Sequence, residues 1–389
     1  MIMSGVIRRD EARVRAGADA VFYGNQVPIN TGIWVGGLGG VNGNGFYWDG
    51  SERAHNFFAT VMHYGIDNVN SHARMMTTIG GETLNGVPIT FNPEGQARMM
   101  SVLDQAYLTS VWRGALMPGM GGRRISRDHF TVADFEMAAT MAQMIPAFPP
   151  DVQVTVQEHV RSWAMNNPDL MRTRNLSRND MLRGIALDDS ITPREWSGIF
   201  AQNHQSRAYY RSEDFVFGIS FNNHNANTAP HTAINNENRR GVFAGEGMNY
   251  LHLDNDQLQY GGNFFAHADF FRLPGTTVGI RPDWAWAGVV SGAPNTNRNP
   301  QHTHGGTAAL RAKPGGMQNH IGEIGVTSFR QNFATAANKS WFMLDGRIIA
   351  IGTNINATTA WPVATSVDQR RRRKSGFCRQ TASKRPLGG

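Results

Sequence analysis

The chain has 389 residues, 40% of them hydrophobic and only 17% charged, with 43 glycines, one cysteine and a net charge of +7. That length leaves room for two or three domains with real cores, a lone cysteine excludes a disulfide within the chain, and no apolar run reaches the roughly eighteen residues a membrane-spanning helix needs. The positive charge is local: Arg370-Arg371-Arg372-Arg373-Lys374 with Arg379, Lys384 and Arg385 make eight basic residues with no acidic neighbour after residue 369, more than the whole net charge.

In chain order, Met1 to Ile7 is too short for a signal peptide, and Arg8-Arg9-Asp10 follows at once. Val6, Ile7, Val14 and Ala18 recur at helical spacing with no cap before them, which predicts a helix from Arg8 to Phe22 and an upstream part beyond Met1. The glycine-rich run Gly36-Gly37-Leu38-Gly39-Gly40 has no Lys-Ser/Thr after it and no clear strand before it, so it lacks what a phosphate loop needs. Ser51 reads as an N-cap, with helices over 52–64, 95–112, 131–144, 151–166 and 177–187. Phe135, Met137, Ala138, Met141 and Ile145 make one apolar face, as in a core helix. Helices in pairs predict an array of helical hairpins.

Near residue 195 the pattern changes to strand-sized runs bounded by turns: 215–221, 241–243, 248–253, 276–280, 325–329, 340–344 and 347–352. Asp345-Gly346 is a two-residue hairpin signal. The chain thus divides into a helical domain, 1–195, an antiparallel β domain, 196–368, and a basic tail, 369–389. The tail has two readings: a surface for nucleic acid or membrane, or a solvated segment outside the fold.

The stretch from Gly45 to Gly65 concentrates ring-bearing side chains. Phe46, Tyr47 and Trp48 precede an Asp49-Gly50 turn, and His55, His63 and Tyr64 follow. Aromatic platforms beside proton-transferring groups suit a carbohydrate site, and aromatics packed into a helix start would look the same. In Gly122-Arg123-Arg124-Ile125-Ser126-Arg127, Arg123 and Arg127 share a face if the segment is helical and would clamp a carboxylate or sulfate; a solvated helix start reads equally well. Asn235-Asn236-Glu237-Asn238 is a dense polar run leading into a strand, and Arg272-Leu273-Pro274-Gly275 a turn into another. HExxH, CxxC and GxSxG are absent, and His302-Thr303-His304 sits in a loop-like run, so no metal or other cofactor is expected.

Taken in order, these pieces resemble polysaccharide lyase family 8, the family of hyaluronate, chondroitin AC and xanthan lyases. The matching runs are Phe46-Tyr47-Trp48-Asp49-Gly50-Ser51 with His55 and Tyr64-Gly65, then Gly122 to Arg127, Asn236-Glu237-Asn238 with Gly245 to Leu251, Arg272 to Val278, and Lys339-Ser340-Trp341-Phe342. The resemblance spans roughly residues 5–368.

It implies an α+β multidomain fold: part of an α/α toroid followed by an antiparallel β supersandwich, with a cleft between them. The implied reaction is β-elimination on a uronic acid of hyaluronan, chondroitin or xanthan type, leaving an unsaturated uronide. His55, Tyr64, Arg123 and Arg127 take the catalytic positions, and Asn235, Glu237, Asn238 and Trp48 the substrate-binding ones. Tyr64 is the implied base and then acid; a free tyrosine has a pKa of about 10, and nearby guanidinium charge favours its phenolate. On a straight helix His55 and Tyr64 would lie on nearly opposite faces, so they converge only if the helix starts after His55 or bends.

Against the family pattern, the Asn that neutralises the uronate carboxylate would fall several residues before Met1, and the β domain stops after Asp368. The expectation is a piece of a lyase truncated at both ends, extracellular and monomeric, acting on an acidic polysaccharide with no nucleic acid or membrane partner. The alternative is a non-catalytic carbohydrate-binding protein using the same cleft.

Overall fold

The computed structural model describes residues 2–20, 45–47, 49–54, 58–59, 64–80, 82–120, 130–148, 150–171, 176–223, 243–253, 256, 259–260, 264–280, 305–310, 322–333 and 335–370. The chain opens with two helices, α1 (Ile2–Arg8) and α2 (Glu11–Ala20), where one was expected. The break is at Arg9, with a φ of 53°, and at Asp10, whose carboxylate accepts from the Arg13 amide at 3.0 Å and caps α2. The two helices touch at glycine: a Cβ on Gly17 would lie 2.5 Å from Ile2.

The helix expected over 52–64 is overturned. Three short strands, β1 (Gly45–Phe46), β2 (Glu52–Ala54) and β3 (Phe58–Ala59), form one antiparallel sheet instead. Gly50 has a φ of 77° and donates to the Tyr47 carbonyl at 3.0 Å, so Asp49-Gly50 closes a hairpin. Ser51, expected as a helix cap, is buried inside this turn. The helix begins later, as α3 (Ile66–Ile79), which the sequence reading did not place. Its buried face is Ile66, Val69, Asn70 and Ala73, and the polar Asn70 breaks the apolar signal.

After the hairpin β4 (Thr83–Leu84) and β5 (Val87–Pro88) comes α4 (Pro93–Val102), capped by Asn92, which accepts from the Gly95 amide at 2.8 Å. A wider π-helical turn continues it to Leu108. The helix expected to reach 112 stops there, because Val111–Trp112 (β6) and Ala115–Leu116 (β7) pair around Arg113 and Gly114, both with positive φ. Helices α5 (Phe130–Met144), α6 (Pro150–Asn166) and α7 (Leu176–Leu187) fall within a residue or so of expectation and pack against one another. Met137, Ala138, Met141 and Ile145 of the apolar face are buried.

The β half holds strands that the sequence reading found and others that it missed. Strands β8 (Gly198–Gln202) and β9 (Arg207–Arg211), both missed, join β10 (Phe215–Phe221) and β11 (Glu246–Leu253) in a sheet of order β11-β10-β9-β8. After a short helix α8 (Phe264–His267), β12 (Thr277–Gly279) pairs with β17 (Val363–Thr365). Between them β13 (Gly305–Leu310), β14 (Ile324–Phe333), β15 (Thr335–Leu344) and β16 (Arg347–Ala357) form a second antiparallel sheet. Asp345 and Gly346, with φ of 47° and 70°, make the expected hairpin turn.

Alternation along β9 and β10 arranges these parts in layers. Tyr210, Phe217, Ile219 and Phe221 face the second sheet and pack with Phe329, Trp341 and Met343. Tyr209 and Val216, on the opposite face, join the core that runs into the helical half. The first sheet is therefore the middle layer, buried on both sides.

The connection between the halves is fastened. Arg161 of α6 binds the Asp188 and Ile191 carbonyls and pairs with Asp189 at 2.7 Å. Glu195 accepts from Ser162 Oγ at 2.6 Å, from the Arg113 amide at 3.2 Å and from Arg211 at 2.7 Å. At the far end, packing does not stop at the expected tail boundary. Gln369 bonds Asp269 and the Arg272 carbonyl, and Arg370 pairs with Asp256 and Asp368.

Candidate active site

Of the residues expected at the site, Tyr64 is described. Trp48, His55, Arg123, Arg127, Asn235, Glu237 and Asn238 lie outside the described residues, as do Gly36–Gly40, 241–242, His302, His304, Cys378 and the basic segment from 371. What the structure shows is where the chain enters and leaves those segments. Three of those entries, after Ala54, after Met120 and after Asn223, meet around one turn.

That turn is the 3-10 segment Asn203–Gln205, between β8 and β9. On one side it holds the hairpin leading to His55. Asp49 accepts from the His204 amide at 3.0 Å and from its ring Nδ1 at 3.1 Å, and Tyr47 stacks on that ring with centroids 4.6 Å apart. The Gln205 amide donates to Ser51 Oγ at 3.1 Å, and the Glu52 amide donates to Gln205 Oε1 at 3.4 Å. Gln202 donates to the Gly50 carbonyl at 3.3 Å.

On a second side the turn holds the 3-10 segment Pro118–Met120, which leads to Arg123 and Arg127. The buried Arg207 guanidinium donates from Nε to the Gly119 carbonyl at 3.1 Å, and Gln205 Nε2 reaches Met120 Sδ at 3.3 Å. On a third side it meets the end of β10. The Phe221 amide donates to the Ser206 carbonyl at 3.2 Å, and the Asn222 amide donates to the Gly245 carbonyl at 2.9 Å, closing the base of the segment 224–242. Asn222 also donates to Glu246 at 3.0 Å.

Tyr64 stands just ahead of α3 and is 39% exposed. Its neighbour Gly65 is wedged against the hairpin: a Cβ there would lie 2.8 Å from the Tyr107 hydroxyl, 2.9 Å from Phe46 and 3.3 Å from Glu52. The structure thus brings Tyr64 beside the strand that leads to His55. Among the described residues no helix lies between them: β3 (Phe58–Ala59) pairs antiparallel with β2, so the argument from one straight helix does not apply.

The electrostatics of this seam follow from burial. Burial pushes the Asp49 carboxyl up, but hydrogen bonds and charge from His204 outweigh it and leave it below the usual carboxylate range. Burial pushes the Arg207 guanidinium down, and the Tyr209 and Tyr250 rings beside it partly offset this. Tyr107, behind Gly65, is raised well above the ordinary phenol by burial and by Glu52. Tyr47 is raised by burial, against the pull of Arg53, whose Nε donates to its hydroxyl at 2.9 Å.

Asp49 makes a pH prediction. Its folded-state value is depressed, so its contribution to stability is complete above the unfolded value and is lost as pH falls through the folded one. Asp49→Asn should therefore lower the urea midpoint at neutral pH, and the gap to wild type should narrow from about pH 4 downward. Parallel midpoint curves for the two proteins would refute the assignment.

The turn and Arg207 were missed by sequence reasoning. Gln202-Asn203-His204-Gln205-Ser206-Arg207 reads as an ordinary polar connection between two short apolar runs. The motifs at 272–278 and 339–342 prove to serve each other: Lys339 is buried beneath the turn and donates to the Gly275 carbonyl, and burial brings its ammonium down to about 7. Among the described residues no group of three or more His, Cys, Asp or Glu side chains could hold a metal ion, and no helix is long and apolar enough to cross a membrane.

Comparison with known proteins agrees with this layout. Residues 39–161 match the model for the N-terminal alpha-helical domain of polysaccharide lyase family 8, and residues 198–387 match its super-sandwich domain. The hyaluronate lyase HylB of Enterococcus faecalis is 29% identical over 335 residues, 84% of this chain and 32% of that protein. The xanthan lyase of Bacillus sp. (strain GL1) is 28% identical over 97% of this chain and 37% of its own length. The solved structure of Paenibacillus xanthan lyase superposes with a TM-score of 0.77 at 24% identity, covering 95% of this chain and 32% of that one. The chain spans about a third of the length of these relatives. With both family domains matched in order, the chain belongs to polysaccharide lyase family 8.

Proposed function

We propose that the protein cleaves uronic-acid-containing polysaccharide by β-elimination. The observation that carries this reading is the convergence of the entry points to His55, Arg123 and Asn235 on the Asn203–Gln205 turn, with the exposed Tyr64 alongside. Its relatives are hyaluronate and xanthan lyases, and a polymer of hyaluronan, chondroitin or xanthan type is the substrate.

In this reading Tyr64 removes the proton at C5 of the uronate. The C5–H electron pair forms the C4–C5 double bond, the C4–O bond breaks, and the proton on Tyr64 passes to the departing glycosidic oxygen. His55 assists at C5, and Arg123 and Arg127 serve at the leaving sugar. Trp48, Asn235, Glu237 and Asn238 hold the sugar chain. The reaction needs neither a metal nor a pair of spaced carboxylates, unlike glycoside hydrolysis. The protein works outside the cell as a monomer.

The test is an incubation of the protein, expressed over its whole reading frame, with hyaluronan, chondroitin and xanthan in turn. Appearance of the ultraviolet absorbance of an unsaturated uronide with one of them is the expected result. Tight binding to a polymer with no such product would replace the lyase by a carbohydrate-binding protein that uses the same cleft.

A further inference from the structure

The turn at Asn203–Gln205 belongs to the β half, whereas Tyr64, His55 and the two arginines belong to the helical half. Between them, two β-domain residues hold both helical segments. Gln205 is 1% exposed; it joins Ser51 and Glu52 through its amide and Oε1, and Met120 through its Nε2. Arg207, also 1% exposed, spends its guanidinium on three carbonyls, those of Gly119 at 3.1 Å, Gln205 at 3.1 Å and Ser206 at 2.8 Å. Its desolvation is offset by these three charge–dipole hydrogen bonds and by no carboxylate, so the carbonyls it holds are fixed firmly in place.

From the clamped positions the chain runs three residues from Glu52 to His55 and three from Met120 to Arg123. Three residues reach at most about 10 Å when fully extended. Fixing Glu52 and Met120 against one another therefore bounds where the imidazole and the guanidinium can go.

We infer that Gln205 and Arg207 are positioning residues, through which the β domain fixes the hairpin at 50–54 against the segment 118–120, the two stretches that lead into His55 and Arg123. This rests on the lyase reading above. Neither side chain touches substrate in this role; each acts through the backbone it holds. The β domain then contributes to the rate as well as to binding of the polymer.

The test uses Arg207→Met and Arg207→Lys in the full protein, with kinetics on the cleaved polymer and amide hydrogen exchange. Misplacement by about 1 Å costs on the order of 100-fold in rate. Arg207→Met should lower kcat by about that factor with KM near wild type, and Arg207→Lys should recover part of it. Exchange should quicken at 50–54 and 117–120 and stay unchanged in β14 to β16. Should Arg207→Met fail to fold, Gly119→Ala probes the same contact with the arginine intact, since its Cβ would lie 2.5 Å from the Tyr209 hydroxyl and 3.4 Å from Arg207; the same kcat loss is expected. Wild-type kcat in either soluble variant, or exchange that quickens evenly through the β domain, would overturn the inference. If wild type releases no product, the lyase reading fails, while the exchange pattern still decides whether Arg207 couples the two segments.

Discussion

Tyr64→Phe is expected to cut the rate of unsaturated product formation by about 10³-fold, inside the 10²–10⁴ range typical of a general acid–base group, while leaving polymer binding and the unfolding midpoint near wild type. The ring stays and only the hydroxyl goes. Tyr64 is 39% exposed. Gly65 continues to seat the backbone against Tyr107, Phe46 and Glu52. Both proton transfers of the proposed elimination pass through the phenol, so its loss strikes the removal at C5 and the delivery to the leaving oxygen together. Steady-state rates on the preferred polymer, with binding measured separately, check this. A Phe variant that cleaves at the wild-type rate would remove Tyr64 from the centre.

The largest effect on stability should come from Arg211→Met. Arg211 is 2% exposed at its side chain and pairs at 2.7 Å with Glu195, itself 16% exposed. Its other amine donates to the Thr109 carbonyl at 3.0 Å. Burial pushes the Glu195 carboxyl up, and Arg211, Ser162 and the Arg113 amide pull it back. Without the guanidinium a buried carboxylate is left uncompensated, a change that typically costs about 3–5 kcal/mol. The sign with pH follows. A carboxyl whose folded-state value is raised weakens the fold as pH climbs through and above the unfolded value, so the loss should be larger at pH 7 than near pH 4. Urea midpoints at the two pH values measure it. The double variant Arg211→Met, Glu195→Gln should recover part of the loss, because it no longer buries a charge. A loss that is the same at both pH values would argue that Arg211 matters only for packing.

The division near residue 195 was legible because the texture changes there, from helical spacing to short alternating runs. Helices α5, α6 and α7 were legible because they are long and their apolar faces are regular. The stretch 52–64 misled for a physical reason. Ser51-Glu52-Arg53-Ala54 has good helix formers after a good cap, yet Gly50 at positive φ and the bonds from Gln205 hold it extended. Tertiary contacts there override local propensity. Strand β9 was missed because arginines at 207 and 211 bracket its tyrosines; both are buried and donate to carbonyls or to Glu195, which a linear reading cannot show. The candidate residues were read as motifs, through family resemblance, and of them Tyr64 lies among the described residues. The turn on which their flanking segments meet was not legible, because it lies in an unremarkable polar hexapeptide.

The shared core has a consequence for how the molecule holds together. One continuous apolar cluster runs from Ile2 and Val14 through Met120, Met141 and Trp163 to Phe200, Tyr209, Tyr250 and Val278. The boundary near 195 is thus a boundary of composition and not of cohesion. Cutting the chain there would expose Phe200, Tyr209 and Val216 on one piece and their helical partners on the other. The two halves are committed to melt together, and to drift together in evolution: a change in a residue at the seam must be answered across it before either half can be exchanged for another.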